Sequence, residues 1–290
     1  MVRFMKYFHA DVFSSKVLSG NGVSVVFLDE DFESKILLQI AQELKQFETV
    51  FVLPTNNDSF PIRIFTVQEE IPFAGHPVLG TVAVIHNLFF KKIKEKEISI
   101  TFNQTQKKLT LKSSIKDNFY SVEMNQGKAD FIYTLKDSEI DELLTFTKLK
   151  KTDIDFSLPV EVVSTGLPYL LIPLKTKIEN AVITETGFES FLEKRNAKFS
   201  YFFQTDTLEC RSWDNTGTFE DVATGSAAGP LFSYLEKNKK SKTDELKTLL
   251  QGRFCGRPSK IEGLVNQNGE VVIYGDVSLL IEGEIKSARA

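Results

Sequence analysis

Two stretches of this chain set a polar or titratable residue directly behind a glycine and in front of a long apolar run. Gly75-His76-Pro77 leads into VLGTVAVIHNLFF, and Gly225-Ser226-Ala227 leads into AGPLFSYL. The first turn of a helix leaves backbone N–H groups unpaired at the positive end of the dipole, and a glycine there lets a ligand approach the backbone. Pro77 suits such a place, because its missing N–H would have had no partner. One such loop alone reads as a tight turn. A pair that also carries His76, Asp221, Thr224 and Ser226 reads as a site for a small anion, above all a carboxylate, with the two helix starts expected to face each other across a cleft.

Glu48 is the remaining candidate. It stands in QFETVFVLP beside Phe47, Val50 and Phe51. A carboxylate in apolar surroundings loses solvation, so its pKa rises toward neutrality and it can both take and return a proton. The other reading is a strand-end acid pointing into solvent, and the sequence leaves both open.

Other chemistry finds no support. GSAAG is not a nucleophile elbow, since Thr224 occupies the place of the first glycine. No Gly-Lys-Ser/Thr follows a glycine-rich loop, and no Gly-x-Gly-x-x-Gly opens a strand–helix unit, so no nucleotide cofactor is expected. His9, His76 and His86 lack zinc-site spacing, and His86 reads as a packed or rim residue of its helix. The expectation is an enzyme without metal or cofactor.

The elements that must position these residues are legible from periodicity. KYFHADVFSS and GNGVSVVFL read as a hairpin, and DFESKILLQIAQELKQ as a helix with Ile36, Leu37, Ile40, Ala41 and Leu44 on one stripe. ETVFVLP and FPIRIFT read as strands. The helix after FAGHP is apolar almost all round, which implies burial on every side. EISITFN, KKLTLKS and NFYSVEM alternate as half-buried strands, NQGKAD breaks the pattern, and a helical segment follows around 136–149. The order then recurs. Arg63 aligns with Arg211, Phe65 with Trp213 and Gly75 with Gly225, at offsets of 148 (211 − 63) and 150 (225 − 75), so a two-residue insertion reconciles them. Two related domains follow: 1–126, to which a strand at 277–290 returns, and 127–276.

Composition narrows the partners. Of the 290 residues 42% are apolar and 26% charged, and the formal charge is −4, without the basic bias that a phosphate backbone demands. No stretch reaches the ~18 uninterrupted apolar residues of a spanning helix. Cys210 and Cys255 form no CxxC pair, which suits a reducing compartment without disulfides. The expectation is a cytoplasmic protein that binds neither nucleic acid nor membrane.

Taken together, SGNGVSVVFL, FETVFVLP, IRIFTVQEEIPFAGHPVLGTVAVI, EDVATGSAAG and QGRFCGRPSKIEG resemble the PhzF family of phenazine-biosynthesis-like isomerases, nearly end to end and in the family's order. The resemblance implies an α+β protein of two pseudo-symmetric domains in the diaminopimelate-epimerase-like fold, each a β-barrel-like sheet wrapped around a central helix. It implies a cofactor-free isomerisation of a small amino- or hydroxy-substituted acid such as trans-2,3-dihydro-3-hydroxyanthranilate, and a homodimer. Glu48 matches the glutamate that moves the proton. His76 and Asp221 would orient the substrate or assist the proton. Thr224, Ser226 and the amides around Gly75 and Gly225 would hold its carboxylate and polar substituents.

The chain also departs from the family pattern. Gly22 replaces the proline of Gly-Asn-Pro, Phe47 the serine before the glutamate, and Val222 the proline of Asp-Pro. Pro230 follows the second helix start and is expected to be tolerated if it lies within the first turn. Two alternatives stand beside the isomerase. Racemases of the same fold need opposed cysteines at the two helix starts, which these loops lack. A noncatalytic small-molecule binder would use the same polar groups without turning its ligand over.

Overall fold

A computed structural model describes residues 4–286 of the chain. In order, the elements are β1 (Phe4–Val12), β2 (Asn21–Phe27), α1 (Ser34–Leu44), β3 (Thr49–Val52), β4 (Ser59–Phe65), β5 (Glu70–Ile71), α2 (Gly75–Phe89), β6 (Glu95–Phe102), β7 (Lys108–Ile115) and β8 (Tyr120–Gly127). There follow β9 (Asp130–Thr134), α3 (Asp137–Thr145), β10 (Glu161–Ser164), β11 (Pro168–Leu174), α4 (Phe188–Glu193), β12 (Phe199–Gln204), β13 (Cys210–Arg211), α5 (Gly225–Lys237), β14 (Lys247–Gln251), β15 (Ser259–Val265) and β16 (Val271–Lys286). The chain divides into two compact units, Met1–Met124 with Tyr274–Ala290, and Asn125–Ile273. The last four residues of the expected 277–290 strand lie outside the described residues.

In the first unit the strands run β1-β2-β3-β4-β6-β7-β8-β16, and β16 pairs back onto β1, closing an eight-stranded barrel. Two neighbouring pairs, β2–β3 and β4–β6, are parallel, and parallel neighbours need a crossover rather than a hairpin. One crossover carries α1, which lays Leu37 and Ala41 against Val26, Phe51 and Phe65 on one face of the sheet. The other carries α2, which touches β1, β2, β3, β6 and β7. That wrapping explains why the helix is apolar all round. From Pro77 to His86 every residue is buried. Gly80 allows the close fit, since a Cβ there would come within 2.5 Å of Val23 Cγ1 and 3.1 Å of Val12 Cγ2.

The second unit repeats the device. Its five-stranded sheet runs β13-β12-β11-β10-β9, with β11–β12 parallel, and β14 pairs with β15. α5 is buried from Ala227 to Leu235 and packs on β10, β11 and β15. α4 and α3 cover the sheet, with Phe188, Phe191, Ile140 and Leu143 on Val162, Leu170, Ile172 and Phe202. Asparagine-glycine chemistry turns the chain after β8, where Gly127 takes φ +78 and Asn125 Oδ1 accepts its N–H. The polar break read from NQGKAD is a turn between two strands, and the two compact units divide at its start, between Met124 and Asn125.

Pro230 is not in the first turn. It is the sixth residue of α5, which starts at Gly225 and continues to Lys237. The helix therefore forgoes the bond that residue 230 would give to the Ser226 carbonyl.

Candidate active site

Each helix start is held by a buried arginine. Arg63 on β4 grips Glu70 with two bonds, Nε–Oε1 at 2.9 Å and Nη2–Oε2 at 2.6 Å, and donates to the Phe32 carbonyl at 2.9 Å. Arg211 on β13 grips Glu220 at 2.7 and 2.8 Å and donates to the Glu179 carbonyl at 2.9 Å. In both units the glutamate sits five residues before the glycine that opens the helix (75 − 70 and 225 − 220). Fork-to-fork pairing fixes direction as well as distance. The loop that delivers the helix start therefore has one geometry. An aromatic ring lies beside each guanidinium, Phe65 at 5.2 Å and Trp213 at 5.0 Å.

In the first unit Gly75 and His76 are the first two residues of α2, and Glu48 sits immediately before β3. His76 Nε2 lies 3.3 Å from Glu48 Oε2, with the side chains only 11% and 18% exposed. Glu48 is thus no strand-end acid in open solvent. Its surroundings are not wholly apolar either: Val50 and Phe51 are buried, but Phe47 is 52% exposed, and the imidazole is its near neighbour. A carboxylate and a ring nitrogen this close are groups that can take a proton from a carbon acid and give it back. Gly22 makes room on β2, where a Cβ would come 2.8 Å from Gln46 Oε1 and 3.2 Å from the His9 ring.

In the second unit the structure gathers Asp221, Thr224, Gly225 and Ser226. Asp221 Oδ2 accepts from the Thr224 hydroxyl at 2.7 Å, and Oδ1 from the Ala223 N–H at 3.3 Å. Ser226 Oγ is 2.7 Å from Tyr169 OH. Burial raises the Tyr169 phenol well above its ordinary range, so it stays protonated as a hydrogen-bonding group. Gln251 bonds to Asp221, Thr224 and Tyr201. Sequence reasoning missed Tyr169, Tyr201 and Gln251; only the position of Gln251 in the QGRFCGRPSKIEG stretch marked it.

Other polar residues have structural explanations. His86 is buried, with Nε2 2.8 Å from the Ile93 carbonyl and Nδ1 2.8 Å from Ser113 Oγ. Since a carbonyl only accepts, the proton is on Nε2 and Ser113 donates to Nδ1. It is a packed residue. Both cysteines lie in the second unit, Cys210 on β13 and Cys255 after β14. Burial pushes Cys210 up to about 12 and Cys255 up to about 11, so neither is a thiolate at neutral pH. Among the described residues no group of three or more His, Cys, Asp or Glu is placed to hold a metal ion, and no helix is long and apolar enough to cross a membrane.

Residues 10–283 match the family described as phenazine biosynthesis-like protein, PhzC-PhzF. The chain belongs to this family. A trans-2,3-dihydro-3-hydroxyanthranilate isomerase from Pseudomonas chlororaphis is 28% identical, covering 93% of this chain and 95% of its own. An uncharacterized isomerase from Escherichia coli is also 28% identical, over 96% and 97%. The PhzF-family chain superposes with a TM-score of 0.90 and 36% identity on a solved protein from Pseudomonas aeruginosa described as a predicted epimerase, covering 98% of one and 100% of the other. A hydroxyproline epimerase from Agrobacterium vitis shares the fold at a TM-score of 0.57 and 9% identity, covering 98% of this chain and 93% of its own. The fold is that of the diaminopimelate epimerases and proline racemases, and the enzyme class is isomerase.

Proposed function

We propose that this PhzF-family isomerase moves a proton on a small amino- or hydroxy-substituted carboxylic acid without a cofactor, and that Glu48 is the base that removes the proton and the acid that returns it. The observation that carries the reading is the 3.3 Å contact between Glu48 Oε2 and His76 Nε2 at the start of α2. His76 would hold the carboxylate's orientation and share its proton. Asp221, Thr224, Ser226 and the amides at Gly75 and Gly225 are assigned the substrate's carboxylate and polar substituents, because the first turn of a helix favours an anion.

The likeness to trans-2,3-dihydro-3-hydroxyanthranilate isomerases makes that compound the substrate to try. Its conversion is followed by NMR in deuterated buffer, scoring substrate loss and deuterium uptake. Glu48→Gln should lose roughly 10²- to 10⁴-fold in turnover while still binding. Equal turnover by the variant would end the assignment, and binding without turnover by the wild type would favour a noncatalytic binder.

The P. aeruginosa likeness supports a second reading, epimerisation at a carbon next to a carboxylate. Two-thiol chemistry does not fit, since both cysteines lie in one unit with their thiols held protonated. Glu48 and His76 would then be the acid–base pair, and α-proton exchange across a panel of amino and hydroxy acids distinguishes the two readings.

A further inference from the structure

The pair Gln251-Gly252 ends β14 and has no part in the assignments above. Gln251 is buried, and its amide uses all four hydrogen-bonding positions. Its Oε1 accepts from the Tyr201 hydroxyl at 2.9 Å and from the Thr224 N–H at 3.1 Å. Its Nε2 donates to the Asp221 carbonyl at 2.9 Å and to Thr224 Oγ1 at 2.9 Å. A backbone N–H can only donate and a carbonyl only accept, so the amide has one orientation. The Thr224 hydroxyl, receiving Nε2–H, must send its own proton to Asp221 Oδ2, which lies 2.7 Å away.

Two further observations place this network at the helix start rather than in generic packing. Thr224 is the N-cap of α5, yet its side chain makes no capping bond. A threonine there normally accepts from the second or third helical N–H. Here the hydroxyl is diverted to Asp221. Gly252 has φ +82, and a Cβ there would strike the Arg257 carbonyl and come within 2.7 Å of the Val222 carbonyl. Only glycine lets the end of β14 lie backbone to backbone against the loop that carries Asp221 and Thr224.

We propose that Gln251 is the positioning residue of the second unit's polar cluster, fixing through Thr224 the orientation of the Asp221 carboxylate and the presentation of the α5 helix start. The proposal rests on the assignment of Asp221 and its neighbours to the substrate. Gln251→Leu removes the four bonds. Gln251→Glu keeps the shape but has no N–H to give once ionised, and it sets a like charge beside Asp221.

The test combines backbone amide exchange at Thr224, followed by NMR without ligand, with kcat and KM for the isomerisation. Gln251→Leu should speed Thr224 exchange while the β11 and β12 amides keep their protection. It should lower kcat/KM about 100-fold, the cost of a misplacement near 1 Å. Thr224→Val, which deletes the hydroxyl relay, should behave similarly, and Thr224→Ser should restore the wild-type values. Because Thr224 is itself assigned to the substrate, this second pair decides the matter, if Gln251→Leu does not fold, through amide exchange at Ala223, whose N–H donates to Asp221 Oδ1, and not through turnover alone. Unchanged Thr224 exchange in a folded Gln251→Leu, or Ala223 exchange no faster in Thr224→Val than in Thr224→Ser, overturns the proposal. Failure of the wild type to turn over any dihydro-hydroxyanthranilate overturns the substrate reading instead, and amide exchange then judges the positioning role alone.

Discussion

Replacing Glu220 by glutamine tests whether the arginine clamp holds the second helix start. Arg211 and Glu220 are 5% and 9% exposed and meet through two bonds of 2.7 and 2.8 Å. The guanidinium also donates to the Glu179 carbonyl at 2.9 Å and lies 4.2 Å from the Phe254 ring. Water therefore has little room to replace a lost partner. Removing one member of a buried pair costs about 3–5 kcal/mol, because the other charge is left uncompensated. Glutamine keeps one acceptor but turns an N–H₂ toward a guanidinium that can only donate, so Glu220→Gln is expected near 3 kcal/mol, or roughly 10²-fold in the folding equilibrium. Arg211→Met should cost at least as much. The double variant Arg211→Met/Glu220→Leu should cost less than the sum of the singles, by about 2 kcal/mol or more. It should not be neutral, since the Glu179 carbonyl loses its donor. Trp213, the only tryptophan of the chain, packs beside Arg211, so its fluorescence in urea reports this unit's unfolding directly. A cost under about 1 kcal/mol, or one that vanishes in 1 M salt as a solvated surface pair's would, refutes the reasoning.

Two further outcomes follow from packing and burial. Gly263→Ala should destabilise by about 1–3 kcal/mol, because its Cβ would strike the Phe232 ring of α5, whereas Gly283→Ala, with nothing within 4 Å, should be neutral or slightly stabilising; paired urea midpoints check this. Alkaline pH should weaken the fold. Burial lifts the Cys210 thiol from 9.0 to about 12 and also raises the Tyr169, Tyr201 and Tyr234 phenols. Above pH 9 the unfolded chain releases a thiol proton that the folded chain keeps, so this stability is whole below that pH and drains toward 12 at up to about 1.4 kcal/mol per pH unit. Urea midpoints at pH 8, 9 and 10 should fall in the wild type and fall less steeply in Cys210→Ala; parallel slopes would contradict it.

The strands and both central helices were legible because their sequences carry the periods that burial demands. α2 reads as apolar on all sides, and residues of five strands surround it. His76 and Ser226 were legible as candidates because each stands in the first turn of a helix, Glu48 because it precedes a strand, and Asp221 because it lies in the loop that leads into α5. Gln251 was not, since an amide at the end of an apolar strand looks like any solvated terminus. Its meaning depends on Asp221 and Thr224, about 30 residues earlier in sequence, and no local period records that partnership. The Pro230 expectation failed for a related reason. Small residues blur where a helix begins, and α5 starts five residues before the proline, so the lost bond falls inside the helix.

The repeat itself shows which parts of the two halves are constrained alike. Arg63 and Arg211, 148 apart, each grip a glutamate, Glu70 or Glu220, 150 apart, and each donate to a carbonyl, Phe32 or Glu179, 147 apart. The bridged pairs Phe65↔Glu70 and Trp213↔Glu220 correspond as well. Near-constant offsets in three separate contacts mean that the clamp, and not merely the order of strands, is common to both halves. The side chains the clamps deliver differ: His76 beside Glu48 in one unit, Ser226 beside Tyr169 in the other. One unit therefore sets an imidazole near a carboxylate, while the other sets hydroxyls beside a carboxylate, Asp221, that accepts from Thr224; under the proposed function the first is the proton-moving pair and the second holds polar groups. Exchanging the chemistry without touching the clamp is the sharper test of that division. Ser226→His should cost about 1–3 kcal/mol, since the buried Tyr169 hydroxyl loses its partner, and it should not rescue the turnover lost in His76→Ala. Rescue would show that the two helix starts are interchangeable and would remove the division of labour.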